Sequence, residues 1–258
     1  MGRNIDRLIA PQSDGLHHEA REITQQIAEG RSSFVETQRR RKGGTLLHVS
    51  ILGKPILLGD DQIAIYGIYR DITARKQAEA ALTASHATIE RLHEAANALG
   101  AAETEDDVYQ ITCDAAEQVL GVGFGILYVT EGSGFVCRAT SSPIGARWLG
   151  RSRVDPAGLA VKTLESEGPI LVHDAEPHSL PEGIPPTSRS LLCVPIGEVG
   201  VFLAASTAPN AFSGEDGRLL GILLGHTAVA VSRLRLQEEL IRQARHDADR
   251  RVQPPLFQ

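Results

Sequence analysis

The sequence predicts an α+β protein of two domains, each an antiparallel sheet with flanking helices, joined by a long helix. Short runs of alternating apolar residues are separated by glycine-rich turns, which is the period-two pattern of strands. Residues 74–99 contain no glycine or proline and are rich in alanine, glutamate, leucine and arginine. We therefore expect domains at 1–73 and 100–244, a linker helix at 74–99 and a frayed tail at 245–258.

Composition places the chain among ordinary globular proteins. Of its 258 residues, 42% are hydrophobic and 22% are charged, so the chain can bury a core. The 26 basic and 32 acidic residues give a net charge of −6, which argues against nucleic-acid binding. The longest apolar runs reach about half the length of a membrane span. No signal-peptide core follows Met1. We expect a cytoplasmic protein without a nucleic-acid or membrane partner.

The first segment predicts a helix followed by an antiparallel meander. Apolar residues recur at helical spacing over 17–29, and Gly30 follows as a stop signal. The pair Gly43-Gly44 supplies the positive φ of a tight hairpin, and residues 59–62 form the next expected turn. The expected strands cover residues 34–38, 46–51 and 63–70.

A seven-residue repeat runs along the linker segment. Its two positions hold Leu82, Ile89 and Ala96, and Ala78, Ser85, Leu92 and Leu99. These positions form one stripe on a helix, the pattern of a coiled-coil seam, so we expect a homodimer through this helix. The alternative is a single amphipathic helix packed on its own domain.

The second segment alternates helices with strand pairs. Thr104 is an expected N-cap before an acidic first turn, and Gly121 ends that helix. Residues 141–188 are expected to be irregular. Ser213 caps a long helix that extends to about Ala244. The expected strands cover residues 124–130, 135–140, 191–196 and 199–206. A second seam-like spacing on the last helix joins Leu220, Leu224, Thr227, Val231, Leu234 and Ile241.

The first segment resembles the C-terminal part of a PAS domain. The residues that carry this resemblance are Arg41-Lys42-Gly43-Gly44, the run from Gly67 to Asp71-Ile72-Thr73, then Arg75-Lys76 and Glu79. The resemblance implies that Asp71, Ile72 and Thr73 relay a signal into the helix, and that Leu82, Ile89 and Leu92 carry it onward. Thr73 is expected to cap the helix with its hydroxyl. Because Gly2 to Leu8 look like the middle of a PAS domain, the resemblance implies an incomplete domain whose sheet has an open edge.

The second segment resembles a GAF domain over its whole length. The marks are Leu192-Cys193-Val194-Pro195-Ile196, Gly200-Val201-Phe202-Leu203, and Ala211 to Asp216, where Ser213 and Asp216 are close to a capping box. The resemblance implies a ligand pocket lined by the irregular segment. The expected pocket residues are Arg147, Trp148, Arg151, His173 and Arg189. Together the two resemblances point to PAS–GAF sensors of prokaryotic, including archaeal, signal transduction.

The sequence offers little support for specific cofactor chemistry. Light-sensing PAS relatives carry a cysteine where this chain has Ile5, and the Asn-Lys dipeptide of cyclic-nucleotide-sensing GAF domains is absent. Cys113, Cys137 and Cys193 are widely spaced, so we expect buried structural thiols and no disulfide or zinc site. His173, Asp174, Glu176 and His178 are expected to be solvated loop residues and not metal ligands. The cofactor therefore stays unknown.

These observations favour a non-catalytic sensory or regulatory protein that binds a small ligand or partner in its GAF domain. One alternative is the input fragment of a sensor histidine kinase of a two-component system. Residues 245–250 are weakly similar to a phosphoacceptor motif, but no glycine-rich nucleotide site follows. A kinase or regulator partner would then read the signal. A GAF-type free methionine sulfoxide reductase is a third interpretation, which would need cysteines close enough to exchange disulfides.

Overall fold

The computed structural model describes residues 15–41, 43–57, 63–121, 123–132, 134–143, 145–153, 158–176, 180 and 184–252. The chain divides into two compact units, Met1–His86 and Ala87–Gln258. This division falls inside the helix that the sequence predicts as a linker.

The first unit is a helix on a three-stranded antiparallel sheet, as the sequence predicts. Helix α1 covers Gly15–Ala28. Strands β1 (Ser33–Arg40), β2 (Leu46–Leu57) and β3 (Ile63–Asp71) lie in the order β1-β2-β3. Ala20 and Ile27 of α1 are buried, as are Val49 and Ile51 of β2. A Cβ on Gly53 would lie 2.1 Å from Cδ1 of Ile27, so any larger residue there would force the Ile27 side chain to move. The turn expected at 59–62 lies outside the described residues.

Helix α2 covers Thr73–Ala101, which confirms the long helix but not its expected cap. The Thr73 hydroxyl accepts a hydrogen bond from the His48 backbone N–H (3.1 Å). Oδ1 of Asp71 accepts from the Thr73 N–H instead (2.9 Å), and this bond lowers the pKa of the Asp71 carboxyl. Ile72 is buried, and its N–H donates to the His48 carbonyl. The helix start is therefore bonded directly to the middle strand of the sheet.

The second unit is a six-stranded antiparallel sheet with helices on both faces. Its strand order is β6-β5-β4-β9-β8-β7. The strands are β4 (Gly125–Glu131), β5 (Gly134–Thr140), β6 (Ser152–Arg153), β7 (Ile170–Val172), β8 (Ser190–Pro195) and β9 (Gly200–Ser206). The helices are α3 (Glu105–Leu120), α4 (Leu159–Glu165) and α5 (Gly214–Val252). Thr104 caps α3 and Gly121 ends it at φ 66°, as expected.

The segment expected to be irregular contains several short elements. They are a 3₁₀ turn at Ala146–Trp148, strand β6, helix α4 and strand β7. Helix α4 has seven residues, which is too short to be stable in isolation. Local propensity did not reveal these elements because neighbouring strands stabilise them, as when β7 pairs with β8.

The sheet of the second unit buries both of its faces. Leu192, Val194, Phe202 and Ala204 contact the core beneath α3 and α5. The alternate residues Leu191, Cys193, Val201 and Leu203 face the second core, beneath α4 and the 3₁₀ turn. Burial on both sides explains why these strands are nearly continuous runs of apolar residues instead of alternating with polar ones.

Helix α5 corrects two expectations. The seam-like residues Leu220, Leu224, Thr227, Val231 and Leu234 are all buried in their own domain, and among the six expected positions only Ile241 is exposed. A core-facing helix and a coiled-coil seam have nearly the same period, so spacing alone could not separate them. The helix also continues through Val252, past the expected start of a frayed tail.

The described part of α5 from Gly214 to His246 is long and apolar enough to cross a membrane by length and composition. That finding is weak, because the core helix of a globular domain passes the same test, and Leu220, Leu223 and Leu224 of α5 are core residues here.

The linker seam divides into two parts. Leu99 and Ala95 at the end of α2 are buried in the core of the second unit, and Leu92 packs against it. Leu82 and Ile89 are exposed. The last turns of α2 thus pack as an amphipathic helix on the second unit. Leu82 and Ile89, earlier in the same helix, expose their apolar side chains to solvent.

Candidate functional site

The expected pocket residues form two separate groups. In the first, the guanidinium groups of Arg147 and Arg151 each lie 5.5 Å from the centre of the Trp148 ring. Trp148 is half-buried against the second core, and both arginines are exposed. At such exposed sites each cation–π contact contributes about 0.5–1 kcal/mol. The group fixes the 3₁₀ turn onto the sheet.

The second group surrounds Arg189 at the start of β8. Its Nε and Nη2 lie 2.7 and 2.6 Å from Oδ1 of Asp174, and both side chains are exposed. The Arg189 backbone N–H donates to the Ser206 carbonyl (2.7 Å). His173 is exposed, and its carbonyl accepts from the Asn210 N–H. This group joins chain segments at the surface, and its guanidinium already has a carboxylate partner.

A cavity of about 330 Å³ lies at one end of the sheet. There β4 and β8 begin, β5 and β9 end, and helix α3 terminates. The described residues that line it are Gly121, Gly123, Phe124, Ser142, Pro185, Thr187, Ser188, Ala205, Ser206 and Thr207. None of the five expected pocket residues is among them. The signal in the sequence is the clustering of Ser and Thr just outside the strand ends, at Ser142, Thr187, Ser188, Ser206 and Thr207.

The chemistry of this cavity is polar but uncharged. Five of its described lining residues carry hydroxyl groups, and none carries an ionisable side chain. The last carbonyls of α3 add partial negative charge at Gly121, because a helix C-terminus is the negative end of its dipole. The cavity therefore suits a small neutral or cationic molecule that donates hydrogen bonds.

A second cavity of about 510 Å³ lies at the opposite end of the sheet. Its described lining includes Thr130, Leu164, Pro195 and the carboxylates Glu167 and Glu198. Within the described residues, no group of three or more histidine, cysteine or carboxylate side chains is arranged to hold a metal ion. His178, one residue of the loop set considered above, lies outside the described residues.

The three cysteines are buried and unbridged, as expected for structural thiols. Burial raises the pKa of the Cys193 thiol to about 12 and raises that of Cys113 as well. Thiolate is the reactive form of cysteine, so these groups are poorly suited to disulfide exchange.

Helices α2, α3 and α5 meet at one junction. Nη2 of Arg233 donates to the Ala102 carbonyl just after α2 (2.7 Å). Arg235 binds Glu105 at the start of α3 through Nε–Oε1 (2.7 Å) and Nη2–Oε2 (3.1 Å). The buried Tyr109 donates its hydroxyl to the same carboxylate (2.5 Å). Arg235 lowers the pKa of Glu105, and burial raises the pKa of Tyr109.

Comparison with known proteins agrees with this fold. A family model described as a GAF domain matches residues 102–232. The GAF domain of an Acinetobacter phosphoenolpyruvate-protein phosphotransferase is 16% identical with a TM-score of 0.51, and the match covers 57% of this chain and 94% of that one. Free methionine-R-sulfoxide reductase from Neisseria meningitidis in complex with its substrate is 18% identical with a TM-score of 0.50, covering 58% and 91%.

No curated protein matches the chain in sequence. The family match begins at residue 102, so it does not bear on the PAS resemblance of the first segment. Both similar structures come from bacteria, so an archaeal source has no support. The family model, the six-stranded antiparallel sheet and the helices on its faces agree, and the chain belongs to the GAF domain family.

Proposed function

We propose that the protein is a non-catalytic sensory or regulatory protein whose GAF domain binds a small molecule in the cavity at the end of α3. The observation that supports this most directly is the hydroxyl-lined cavity itself, because it combines a defined volume with hydrogen-bonding groups and no charged lining residue. We expect the ligand to be neutral or cationic and to donate hydrogen bonds toward the C-terminus of α3.

Helix α3 would carry the signal from the cavity to the helix junction. Its last turn borders the cavity at Gly121, and its first residue, Glu105, binds Arg235 of α5. A packed helix moves as a rigid element, so a shift at one end reaches the other. Arg233 would pass the shift to the end of α2 through Ala102. A ligand changes this equilibrium only by binding the two arrangements with different affinity.

We further propose a homodimer through the exposed stripe of α5. Ile222, Val229 and Leu236 follow each other at seven-residue intervals with exposures of 44%, 69% and 61%, and Leu240 continues the stripe. This stripe replaces the buried one that the sequence favoured. Leu82 and Ile89 on α2 are the corresponding exposed residues of the linker helix.

The first unit is proposed as a partial PAS domain in a cytoplasmic sensor. It is supported by the three-stranded order β1-β2-β3 and by the direct passage from β3 through Asp71-Ile72-Thr73 into α2. A kinase or regulator would receive the signal. The input portion of a sensor histidine kinase is a second candidate, favoured by the continuous course of α5 beyond His246.

The protein is not proposed as a methionine sulfoxide reductase. The fold similarity to that enzyme comes at 18% identity, which concerns the fold alone. Burial raises the pKa of Cys113 and Cys193, which opposes thiol chemistry.

Native mass spectrometry of the freshly purified full chain tests the proposal, because it reports a retained ligand and the oligomeric state together. Thr207→Trp places a large side chain in the cavity mouth, where Thr207 is exposed and the fold should tolerate it. We expect this variant to lose the ligand and Thr207→Ser to keep it. Retention by both variants, or turnover of a substrate by the purified chain, would contradict the proposal.

A further inference from the structure

Strand β3 of the first unit has the properties of a pairing edge. It is an edge strand of the described sheet, with nine residues from Ile63 to Asp71. Its first seven residues are uncharged, and none of the nine is proline. Natural proteins protect exposed sheet edges with charges, proline or short strands. Strand β3 lacks these protections along most of its length.

The opposite edge strand provides the contrast within the same sheet. Strand β1 carries Glu36, Arg39 and Arg40. Glu36 also binds Arg75 (2.5 Å) and Lys76 (3.0 Å) of helix α2. This edge is therefore charged and partly covered by the first turn of that helix. The difference between the edges identifies β3 as the one suited to pairing.

Apolar side chains of β3 are exposed on both faces of the sheet. Successive residues of a strand point to opposite faces. Ile65 and Tyr69 share the face that α1 covers and are 43% and 45% exposed. Tyr66 and Ile68 point to the other face and are 52% and 45% exposed. A strand added to this edge would cover both sets at once.

The sequence of β3 is complementary to itself, which identifies the partner. We infer that β3 pairs antiparallel with β3 of a second copy of this chain, with Gly67 opposite Gly67 on a twofold axis. In this register Ile65 lies opposite Tyr69 of the second copy, and Tyr66 lies opposite Ile68. All four pairs that flank the glycines therefore join isoleucine with tyrosine, a favourable aromatic–β-branched combination.

The ends of the strand fit the same register. Arg70 lies opposite Ala64 and Asp71 opposite Ile63, so no like charges face each other. A shift by two residues would place Gly67 opposite Tyr69 and lose most of the isoleucine–tyrosine pairs. The result is a continuous six-stranded sheet formed by the first units of two chains. This contact is independent of the ligand and of the α5 stripe described above.

Site-specific crosslinking of the full chain tests the contact. A Cβ at Gly67 would meet nothing closer than 3.4 Å, and the glycine has ordinary negative φ, so Gly67→Cys should fold normally. The native cysteines are buried and should not react. With a short thiol-specific crosslinker, we expect a covalent dimer from Gly67→Cys and only background from Gly43→Cys in the exposed hairpin turn.

A charged side chain in the paired edge should break the contact. Adding Ile68→Lys to Gly67→Cys should lower the crosslink yield and weaken dimerisation about tenfold, since each dimer contains two altered pairs. Phe34→Lys is the matched control, because Phe34 lies in the same cross-strand row on the opposite edge and is 68% exposed. It should leave the yield unchanged. Circular dichroism verifies folding, and Tyr66→Lys replaces Ile68→Lys if that variant unfolds.

Val229→Glu separates this inference from the proposed α5 contact. It should leave the Gly67→Cys crosslink intact even if it removes a helix-mediated dimer. The inference is overturned if Gly67→Cys crosslinks no better than Gly43→Cys, or if Ile68→Lys has no effect on its yield. Protection of β3 from hydrogen exchange in a chain that sedimentation shows to be monomeric would also overturn it, because another segment would then occupy the edge.

Discussion

The junction of Arg235, Glu105 and Tyr109 allows a quantitative prediction about how the GAF domain holds its helices. Arg235→Met removes two hydrogen bonds to Glu105, whose side chain is 29% exposed, and leaves the buried Tyr109 to satisfy that carboxylate alone. Exposed ion pairs contribute about 0.2–1 kcal/mol. Because the Arg235–Glu105 pair is forked and partly buried, we expect its coupling free energy to lie at the upper end of that range. Arg235→Met alone should lower the free energy of unfolding by about 1–2 kcal/mol.

A double-mutant cycle with Glu105→Gln isolates the coupling. Urea unfolding can be followed by the fluorescence of Trp148, the one tryptophan in the chain, which lies in the GAF domain and reports its unfolding. The exposed pair Arg218–Glu215 on α5 is the matched control, with side chains 66% and 58% exposed, and should couple by less than about 0.5 kcal/mol.

The pH dependence of the coupling has a defined sign. Arg235 lowers the pKa of Glu105 in the folded protein from its ordinary 4.5, so the unfolded chain binds this proton more readily. The stabilisation is complete above the unfolded pKa and is lost as pH falls through the lower folded value. A coupling near zero at neutral pH, or one that does not weaken as the pH falls below 4.5 until the Glu105 carboxyl is protonated in the folded protein, would refute this account of the junction.

Three further predictions concern the interior of the GAF domain. The hydroxyls of Thr112 and Thr227 lie 2.9 Å apart and are buried, so Thr227→Val should cost about 1 kcal/mol in urea unfolding, and adding Thr112→Val should cost much less than a second such loss. If the two substitutions instead lower the free energy of unfolding by equal and additive amounts, the hydrogen bond between Thr112 and Thr227 is contradicted. A Cβ at Gly200 would lie 2.0 Å from a carbonyl oxygen of β4, so Gly200→Ala should cost about 3 kcal/mol or prevent folding. Gly100→Ala, in open space on α2, should stabilise by about 0.5–1 kcal/mol, and similar effects at both glycines would refute the steric argument. The three cysteines should not react with a chromogenic disulfide reagent until urea unfolds the chain, because burial raises the Cys193 pKa to about 12; rapid labelling of the native protein would show that a thiol is accessible.

Sequence reasoning was most successful where the structure depends on neighbouring residues. Thr104 and Gly121 set the ends of α3, and Ser213 and Asp216 form the expected reciprocal cap of α5. Cap chemistry needs only three or four consecutive residues, so it can be read directly from the chain. Thr73 was the exception, because β2 offered its hydroxyl a different partner.

The candidate site was less accessible to such reasoning. The cavity is lined by described residues from four segments of the chain that are brought together only where the strands of the sheet begin or end. The expected pocket residues were chosen for their chemistry, yet Arg189 is paired with Asp174 and the two remaining arginines stack on Trp148. A side chain's partners depend on tertiary distance, which sequence spacing does not report.

By itself, the sequence determined the α+β class, the long helices, the caps of α3 and α5 and the GAF resemblance of the second segment, because periodicity and capping act over one or two turns of chain. Only the tertiary structure decided which face of α5 is buried, since a helix presents several apolar stripes and the sheet selects one. It also decided where the cavity lies and which sheet edge lacks charge protection, because both depend on how distant segments pack.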